Sequence, residues 1–301
     1  MDQKWMSRSL LTIMLVAMMA LMLTTCAKKP FWGSETTGFI LNYQLSPNQQ
    51  WKYEMTSNQN MNMEQMGQAV DIKTALMTNY TIKGGGLNPQ KNLLATFTLD
   101  TMHIAVTSAM GSNSPDISSI IGKSFQLAFT PKGKELEYTQ TEGFEIDFGM
   151  MGGGKQNISN NFRSIFPDLP LQPIKIGDSW VTHDTLTIPQ GGMEINVKNE
   201  TTNTLAGKEI INGVECLKFI SKSKGTVDGK GERMGMNMTI EGETEGTTTW
   251  YFAYKAGSMV QAASEGFMES TIAISGPMNM TMPMTQETKA MVKLVSPVVA
   301  K

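Results

Sequence analysis

Hydrophobic and polar residues alternate along most of the chain from about residue 39 onwards, a pattern typical of half-buried β-strands. Three runs show it most clearly: Leu93, Ala95, Phe97 and Leu99; Met193, Ile195 and Val197; Thr248, Trp250, Phe252 and Tyr254. Asn212 and Gly213 stand between two further runs, and both residue types accept the positive φ of a hairpin turn. Because several runs are about ten residues long, we expect an all-β, antiparallel, strongly curved or barrel-like sheet.

Two segments have helical rather than strand spacing, so two short helices are also expected. In the first, Ser114 can cap a helix whose buried face carries Ile117 and Ile120, and Gly122 would end it. In the second, about residues 156–166, the apolar residues Ile158 and Phe162 begin a stripe at helical spacing that ends before Pro167.

Two tryptophans suggest an internal repeat. Trp51 and Trp180 each follow an aliphatic residue, Leu45 or Ile174, by six positions, with turn-forming residues between them. One interpretation is a first β half at residues 39–166 and a second at 167–301. A match of this length also arises by chance, so a single unit is the other interpretation.

The N-terminus has the order of a secretory signal. Lys4 and Arg8 precede an uncharged stretch at residues 10–23, and the segment 23–26 that follows resembles the lipobox of bacterial lipoprotein precursors, except at Thr25. The resemblance implies a signal peptide at residues 1–25, lipid on Cys26 and a flexible tether at 26–38. An ordinary signal peptide or an uncut anchor is the alternative.

The same resemblance predicts the location. The protein is expected to be exported and anchored by lipid in the bacterial cell envelope. Ala27 rather than an aspartate follows Cys26, which favours the outer membrane over the inner one by the enterobacterial pattern.

Composition narrows the function classes. The formal net charge is −2, and Arg163 and Arg233 are the arginines that follow the signal, so nucleic-acid binding is not expected. Cys216 is the second of two cysteines, and with Cys26 lipidated no internal disulfide forms. We expect Cys216 to be a small buried hydrophobic residue in a strand.

No pattern of catalytic residues is visible in the sequence. His103 and His183 are the two histidines, and each lies in a strand-like segment of its own. Nucleophile-elbow, metalloprotease and phosphate-loop motifs are missing. We therefore expect a protein that is not an enzyme and has no cofactor.

Methionine is unusually frequent, with 26 residues, and three groups recur at strand spacing. These groups are Met61, Met63 and Met66; Met234, Met236 and Met238; Met278, Met280, Met282 and Met284. Residues at i, i+2 and i+4 of a strand share a face, so each group forms a row of thioethers.

Three interpretations of these rows are open. They pack a core, or they line an adaptable apolar site for a lipid, or they bind Cu(I), which soft thioethers select. For the lipid site the candidates are Met234, Met236, Met238, Met278, Met280 and Met282. For the metal alternative they are Met61, Met63 and Met66.

Short motifs carry a family resemblance. A proline-rich segment from Phe166 ends in Gly-Asp-Ser-Trp at residues 177–180, and a Gly-Thr-Thr-Thr-Trp-Tyr run follows at 246–251. Together with Met- and Thr-rich strands, these motifs resemble an uncharacterised bacterial all-β lipoprotein family. A looser resemblance is to lipoprotein-carrier-like half-barrels, which hold acyl chains on a curved apolar sheet.

The expected function follows from these observations. We expect a non-catalytic, membrane-anchored envelope lipoprotein that binds a hydrophobic ligand or lipid, or an envelope partner. The alternatives are a periplasmic Cu(I)-binding protein and a purely structural envelope lipoprotein.

Overall fold

Antiparallel strands make up nearly all of the regular structure. The computed structural model describes residues 32–65, 67–109, 111–147, 155–163, 165–190, 192–233, 235–276 and 279–296. Sixteen strands and one 3-10 helix, Ile158–Phe162, lie within these ranges. The strands are β1 Gly33–Ser34, β2 Gly38–Phe39, β3 Gln50–Gln65, β4 Gln68–Leu87, β5 Leu93–Ser108, β6 Gly111–Asn113, β7 Ser124–Phe129, β8 Glu135–Thr139, β9 Glu145–Asp147, β10 Lys155–Asn157, β11 Ser179–Gln190, β12 Met193–Ile211, β13 Val214–Arg233, β14 Met236–Ala253, β15 Ser258–Ser275 and β16 Met280–Leu294.

Twelve of the strands form one sheet. Its order is β11-β12-β13-β14-β15-β16-β3-β4-β5-β7-β8, with β6 added to β5. Every pair is antiparallel, and β16 pairs with β3, which joins the C-terminal strands to the N-terminal ones. Within the described ranges, the edge strands β11 and β8 are not hydrogen-bonded to each other. The expected all-β, antiparallel fold class is confirmed.

One face of the sheet carries the core, and we call it the inner face. Aromatic rings pack on it near the turns that join β4 to β5, β12 to β13 and β14 to β15. The largest fully buried side chains include Tyr43, Trp51, Tyr53, Tyr80, Phe97, Phe125, Phe219 and Trp250. Residues directly opposite in antiparallel strands share a face, so the register of the strands assigns the remaining inner positions.

The predicted hairpin at Asn212 and Gly213 is confirmed. Ile211 pairs with Val214, and the two turn residues have φ of 49° and 80°. Two positive φ values are what a type I′ turn requires, and its twist matches that of the flanking strands.

The first expected helix is wrong, and a turn occupies its place. Asp116 Oδ1 accepts the Ser118 N–H at 2.9 Å, a local bond that competes with helix formation. The backbone that follows is hydrogen-bonded to Leu99 of β5: Gly122 N donates to Leu99 O, and Leu99 N donates to Lys123 O. A segment this short has little helical stability of its own, so bonding to the sheet prevails.

The second expected helix is much shorter than predicted. It is the 3-10 helix Ile158–Phe162, capped by Asn157, whose side chain accepts the Ser159 N–H. Ile158 and Phe162 are buried as the apolar stripe predicts. The residues before the cap pair as β10 with β9 instead.

The two predicted halves begin with the same turn. The residue two before each tryptophan, Gln49 or Asp178, donates its N–H at 3.0 Å to the carbonyl three residues earlier. Its side-chain oxygen accepts the N–H of that same earlier residue. The residue three before each tryptophan has a positive φ, 64° at Asn48 and 96° at Gly177.

The strand beside each tryptophan also has the same irregularity. In β4 the register shifts between Gly84 and Gly86, and in β12 it shifts between Leu205 and Gly207. Gly84 and Leu205 each exchange both backbone hydrogen bonds with the preceding turn. Gly84 in the first half therefore corresponds to Leu205 in the second.

The N-terminal expectations lie largely outside the described residues, and these include Cys26 and the signal peptide. Of the predicted tether, residues 33–38 belong to the β1–β2 hairpin, and Glu35 there pairs with Lys208 at 2.6 Å. Within the described ranges, no helix has the length and apolar content needed to cross a membrane.

Candidate functional site

The methionine rows lie on the inner face, at the end of the long strands that is remote from the aromatic rings. Met61 and Met63 of β3, Met236 and Met238 of β14, and Met280 of β16 are half-buried. Met282 and Met284 are buried. Met66, Met234 and Met278 lie outside the described residues.

The register brings the three rows onto one continuous surface. Met284 is opposite Met63, and Met282 is opposite Ile272. Further apolar residues join them from the neighbouring strands. We call this surface the methionine face; it comprises Met61, Met63, Met193, Ile195, Val197, Val227, Met238, Ile240, Met268, Ile272, Ile274, Met280, Met282 and Met284.

The methionine face is only partly covered. Val227 and Ile240 are buried at its centre, whereas Met193, Ile195 and Ile272 are half-buried. On the opposite side of the same strands the side chains are polar and exposed, for example Glu194 and Thr271. The sequence pattern located the rows, and the tertiary structure shows that they form one surface.

A group of uncharged polar side chains separates the methionine face from the aromatic core in the second half. We call it the polar belt; it consists of Thr182, Thr201, Asn203, Ser221, Thr248 and Ser264. Asn203 and Ser221 are buried. The sequence analysis missed these residues, although polar side chains at inward positions of an alternating run were a signal.

Hydrogen bonds link the polar belt to the aromatic core. Trp250 Nε1 donates to Ser221 Oγ at 2.8 Å, and Ser221 Oγ donates to Asn203 Oδ1 at 2.5 Å. Asn203 Nδ2 makes a longer contact of 3.4 Å with Thr182 Oγ1. Between strands β14 and β15, the Thr248 and Ser264 hydroxyls lie 2.9 Å apart.

A cavity of about 670 Å³ opens beside the polar belt. The belt residues, Trp250, Met259, Ala262 and Val292 line it, together with residues of β8 and β11, residue 163 and residues 165–168. The lining includes the charged side chains of Lys134, Glu135, Glu137, Arg163, Asp168 and Asp184. Leu186 of β11 also lines the cavity, and its cross-strand partner Val197 belongs to the methionine face. The cavity and the methionine face are therefore adjacent.

Asp168 is the most perturbed carboxyl at the cavity. Desolvation by burial, followed by the negative charge of Asp184, raises the pKa of Asp168 to about 6, while Lys134 opposes the shift. The Asp168 backbone carbonyl accepts a hydrogen bond from Trp180 Nε1 at 3.1 Å, which ties this segment to β11.

The other reactive side chains have ordinary structural surroundings. His103 is exposed on β5, and His183 lies 3.1 Å from Glu200 at the surface. Cys216 is buried, as predicted, and burial raises the pKa of its thiol to about 11. Within the described ranges, no three His, Cys, Asp or Glu side chains are grouped to hold a metal ion.

Comparisons with known proteins do not assign the chain to a family. No family model matches the chain, and no curated protein matches it. Among solved structures, OmpF of Salmonella typhi in a complex with daunomycin is similar over 81% of this chain and 98% of its own, at 7% identity and a TM-score of 0.22.

Two further solved structures are similar at the same level. OccAB4 of Acinetobacter baumannii has 8% identity and a TM-score of 0.20, over 83% of this chain and 99% of its own. A DUF1329 family protein from Desulfovibrio piger has 8% identity and a TM-score of 0.14, over 82% and 87%. These scores are too small to carry an argument, so the fold rests on the strand topology above.

Proposed function

We propose that the protein is a non-catalytic lipoprotein of the bacterial cell envelope, held at a membrane by lipid on Cys26, which binds a long-chain hydrophobic ligand on the methionine face. One observation carries the ligand proposal: six neighbouring strands, from β12 to β3, contribute to an apolar inner surface that stays half-exposed at its rim.

Physical chemistry favours a flexible apolar ligand for this surface. Each Å² of apolar surface removed from water stabilises a complex by about 25 cal/mol, so a half-exposed apolar face gains by being covered. Methionine side chains are unbranched and adapt to variable shapes. Since the face adjoins the cavity beside the polar belt, a chain-like molecule that extends into the cavity fits it better than a flat protein surface.

The test uses the full chain in bacterial membranes and a long-chain hydrocarbon probe with a photoactivatable group and an alkyne tag. We expect light-dependent labelling of the chain. Ile272→Asn places a polar group on the methionine face and should reduce labelling about fivefold, since burying an unpaired amide costs about 1–3 kcal/mol. Its matched control, Thr271→Asn, faces the exposed side of β15 and should label like the parent.

Equal labelling of the Ile272→Asn and Thr271→Asn chains would refute the methionine face as the ligand site. The double variant Met61→Leu/Met63→Leu separates the copper alternative, since leucine keeps the apolar volume and removes two of the candidate thioether ligands. Hydrocarbon labelling should persist in that variant. Stoichiometric Cu(I) binding by the parent that is lost in the leucine variant would favour the metal role instead.

Membrane attachment has a separate test. The full chain should incorporate an alkyne-tagged fatty acid in cells, and Cys26→Ser should abolish both this incorporation and resistance to alkaline extraction from membranes. Cys216→Ser is the control and should leave acylation unchanged. Acylation that survives Cys26→Ser would contradict the anchor proposal.

A further inference from the structure

The equivalence of the two halves can be extended residue by residue. Because Gly84 corresponds to Leu205, the residues opposite the tryptophans correspond as well. Trp51 is opposite Ile82, and Trp180 is opposite Asn203. Continuing across the sheet, the corresponding pairs are Tyr53 and Thr182, Tyr80 and Thr201, Ile82 and Asn203, Phe97 and Ser221, and Phe125 and Thr248.

At these positions the first half is filled with rings. Tyr53, Tyr80, Phe97 and Phe125 are almost fully buried, and consecutive rings stack with centroids 4.5–5.4 Å apart. In the second half every corresponding side chain is small or polar, and the 670 Å³ cavity lies beside them. Corresponding strand positions therefore have a packed interior in the first half and an open cavity in the second.

The direction of the hydrogen bonds determines what the open half offers to a ligand. An indole N–H only donates, so Ser221 Oγ must accept from Trp250 and give its own proton to Asn203 Oδ1. The Asn203 amide thus turns its NH₂ group towards Thr182 and Thr201, which both line the cavity. Among the described residues its contacts are 3.4 Å to Thr182 Oγ1 and 3.5 Å to Thr201 O.

Both contacts are longer than the usual N–H···O distance of about 2.9–3.0 Å, so a ligand oxygen at that distance would give the amide a stronger hydrogen bond. Asn203 is 4% exposed. An ammonium group offers no acceptor to this donor, and an anionic oxygen would lie near the Asp184 carboxylate, which lines the same cavity two positions along β11 from Thr182. An uncharged oxygen, as in a hydroxyl, ester or ether, meets both conditions.

We propose that the polar belt binds the uncharged, oxygen-bearing end of an amphipathic ligand whose aliphatic chain lies on the methionine face. This inference rests on the proposed function and adds the ligand class: a neutral lipid with an oxygen headgroup. Asn203 Nδ2 and the Thr182 hydroxyl each donate a hydrogen bond to the ligand oxygen, and Thr201 flanks it.

The test compares two photoactivatable, alkyne-tagged probes on the full chain in membranes: the hydrocarbon probe above and a monoacylglycerol of equal chain length. We expect the monoacylglycerol to label the chain more strongly. Thr182→Val should lower monoacylglycerol labelling about three- to tenfold, the effect of one hydrogen bond, and leave hydrocarbon labelling unchanged.

A second pair of variants tests the same inference through a different side chain. Thr201→Tyr introduces the residue that the first half has at Tyr80, fills the cavity and should abolish the preference for monoacylglycerol. Thr202→Tyr places the same residue on the exposed side of β12 and should retain the preference.

The outcomes separate this inference from the proposed function. If the hydrocarbon probe fails to label the chain, the proposed function fails. If it labels the chain but monoacylglycerol shows no preference, or Thr201→Tyr keeps that preference, only the polar belt inference fails. Stronger competition by a fatty acid or a cationic amphiphile than by unlabelled monoacylglycerol would overturn the assignment of an uncharged headgroup.

Discussion

At the scale of single residues, the most informative feature is a pair of polar side chains in an apolar setting. Asn203 and Ser221 are buried where the first half has Ile82 and Phe97. Hydrogen bonds to Trp250 and to each other offset part of the cost of burying them. Asn203 and Ser221 therefore contribute both to the stability of the second half and to the lining of its cavity.

Ser221→Ala tests that connection. The change leaves the Trp250 N–H without its acceptor and Asn203 Oδ1 without its donor, so we expect a loss of about 1–3 kcal/mol in the free energy of unfolding. Urea denaturation measures it. Ser223→Ala, one inner position further along β13 and half-buried, should cost less than about 1 kcal/mol. Equal losses in both variants would contradict the proposed bonding.

Asp168 predicts a dependence of stability on pH. Its pKa, about 6 in the folded protein, lies above the usual aspartate value, so the folded state binds the proton more tightly than the unfolded chain does. Stability should therefore rise as pH falls through 6 towards 4, and it should be lower above 6.

Asp168→Asn should remove this dependence. Above pH 6 we expect the variant to be more stable than the parent by no more than about 1 kcal/mol, because solvent screens this half-buried carboxyl. The difference should vanish near pH 4. Thermal melts across this range measure it, with Asp71→Asn on the exposed side of β4 as control. A variant less stable than the parent at pH 7.5 would refute the prediction.

At the scale of elements, the alternation of apolar and polar residues and the tight turns determine the long hairpins. Strands β12 and β13 are of 19 and 20 residues, and one tight turn at Asn212 and Gly213 sets their register. A shift by one residue would turn every inner side chain outward. The turn therefore helps to place the polar belt and the methionine face on the same side.

Gly213→Ala should destabilise the protein by about 1–2 kcal/mol, because the residue has φ of 80° and a Cβ is disfavoured there. The cause is conformational, since a Cβ at Gly213 would meet no atom within 4 Å. Asn212→Gly keeps the turn and should change stability by less than about 0.5 kcal/mol. Urea denaturation compares the two; a larger loss in the glycine variant would contradict this explanation.

At the scale of the whole sheet, the long strands have two different ends. At one end the inner side chains are buried among aromatic rings, whereas at the methionine end the inner side chains are half-exposed. Local opening takes less free energy where fewer apolar side chains are buried. The methionine end is therefore the part of the sheet that we expect to respond to a ligand.

Hydrogen exchange should show this difference. We expect amides beside Trp51, Phe97 and Trp250 to exchange only on global unfolding, and amides beside Met63 and Met282 to exchange at lower free energies. Adding monoacylglycerol to the full chain should slow exchange at the methionine end, since a ligand that binds the folded state opposes opening. Uniform protection along β16 with and without the lipid would contradict the prediction.

The sequence by itself determined the strands, the Asn212–Gly213 hairpin and the common face of the methionines at strand spacing. Each of these depends on local spacing, which the chain displays directly. It failed at residues 114–122, since hydrogen bonds from Leu99, some twenty positions away, decide that segment. Local capping signals cannot report such competition.

Only the tertiary structure decided how the parts combine. The successive pairing of β14, β15, β16 and β3 makes three separate methionine rows one surface. Pairing across β11 to β14 gathers five side chains of the polar belt from four strands. Cross-strand register is a long-range property, because it depends on which strands meet and not on the composition of either one. The cavity also depends on this register, because the register places small side chains of the second half where the first half stacks its rings.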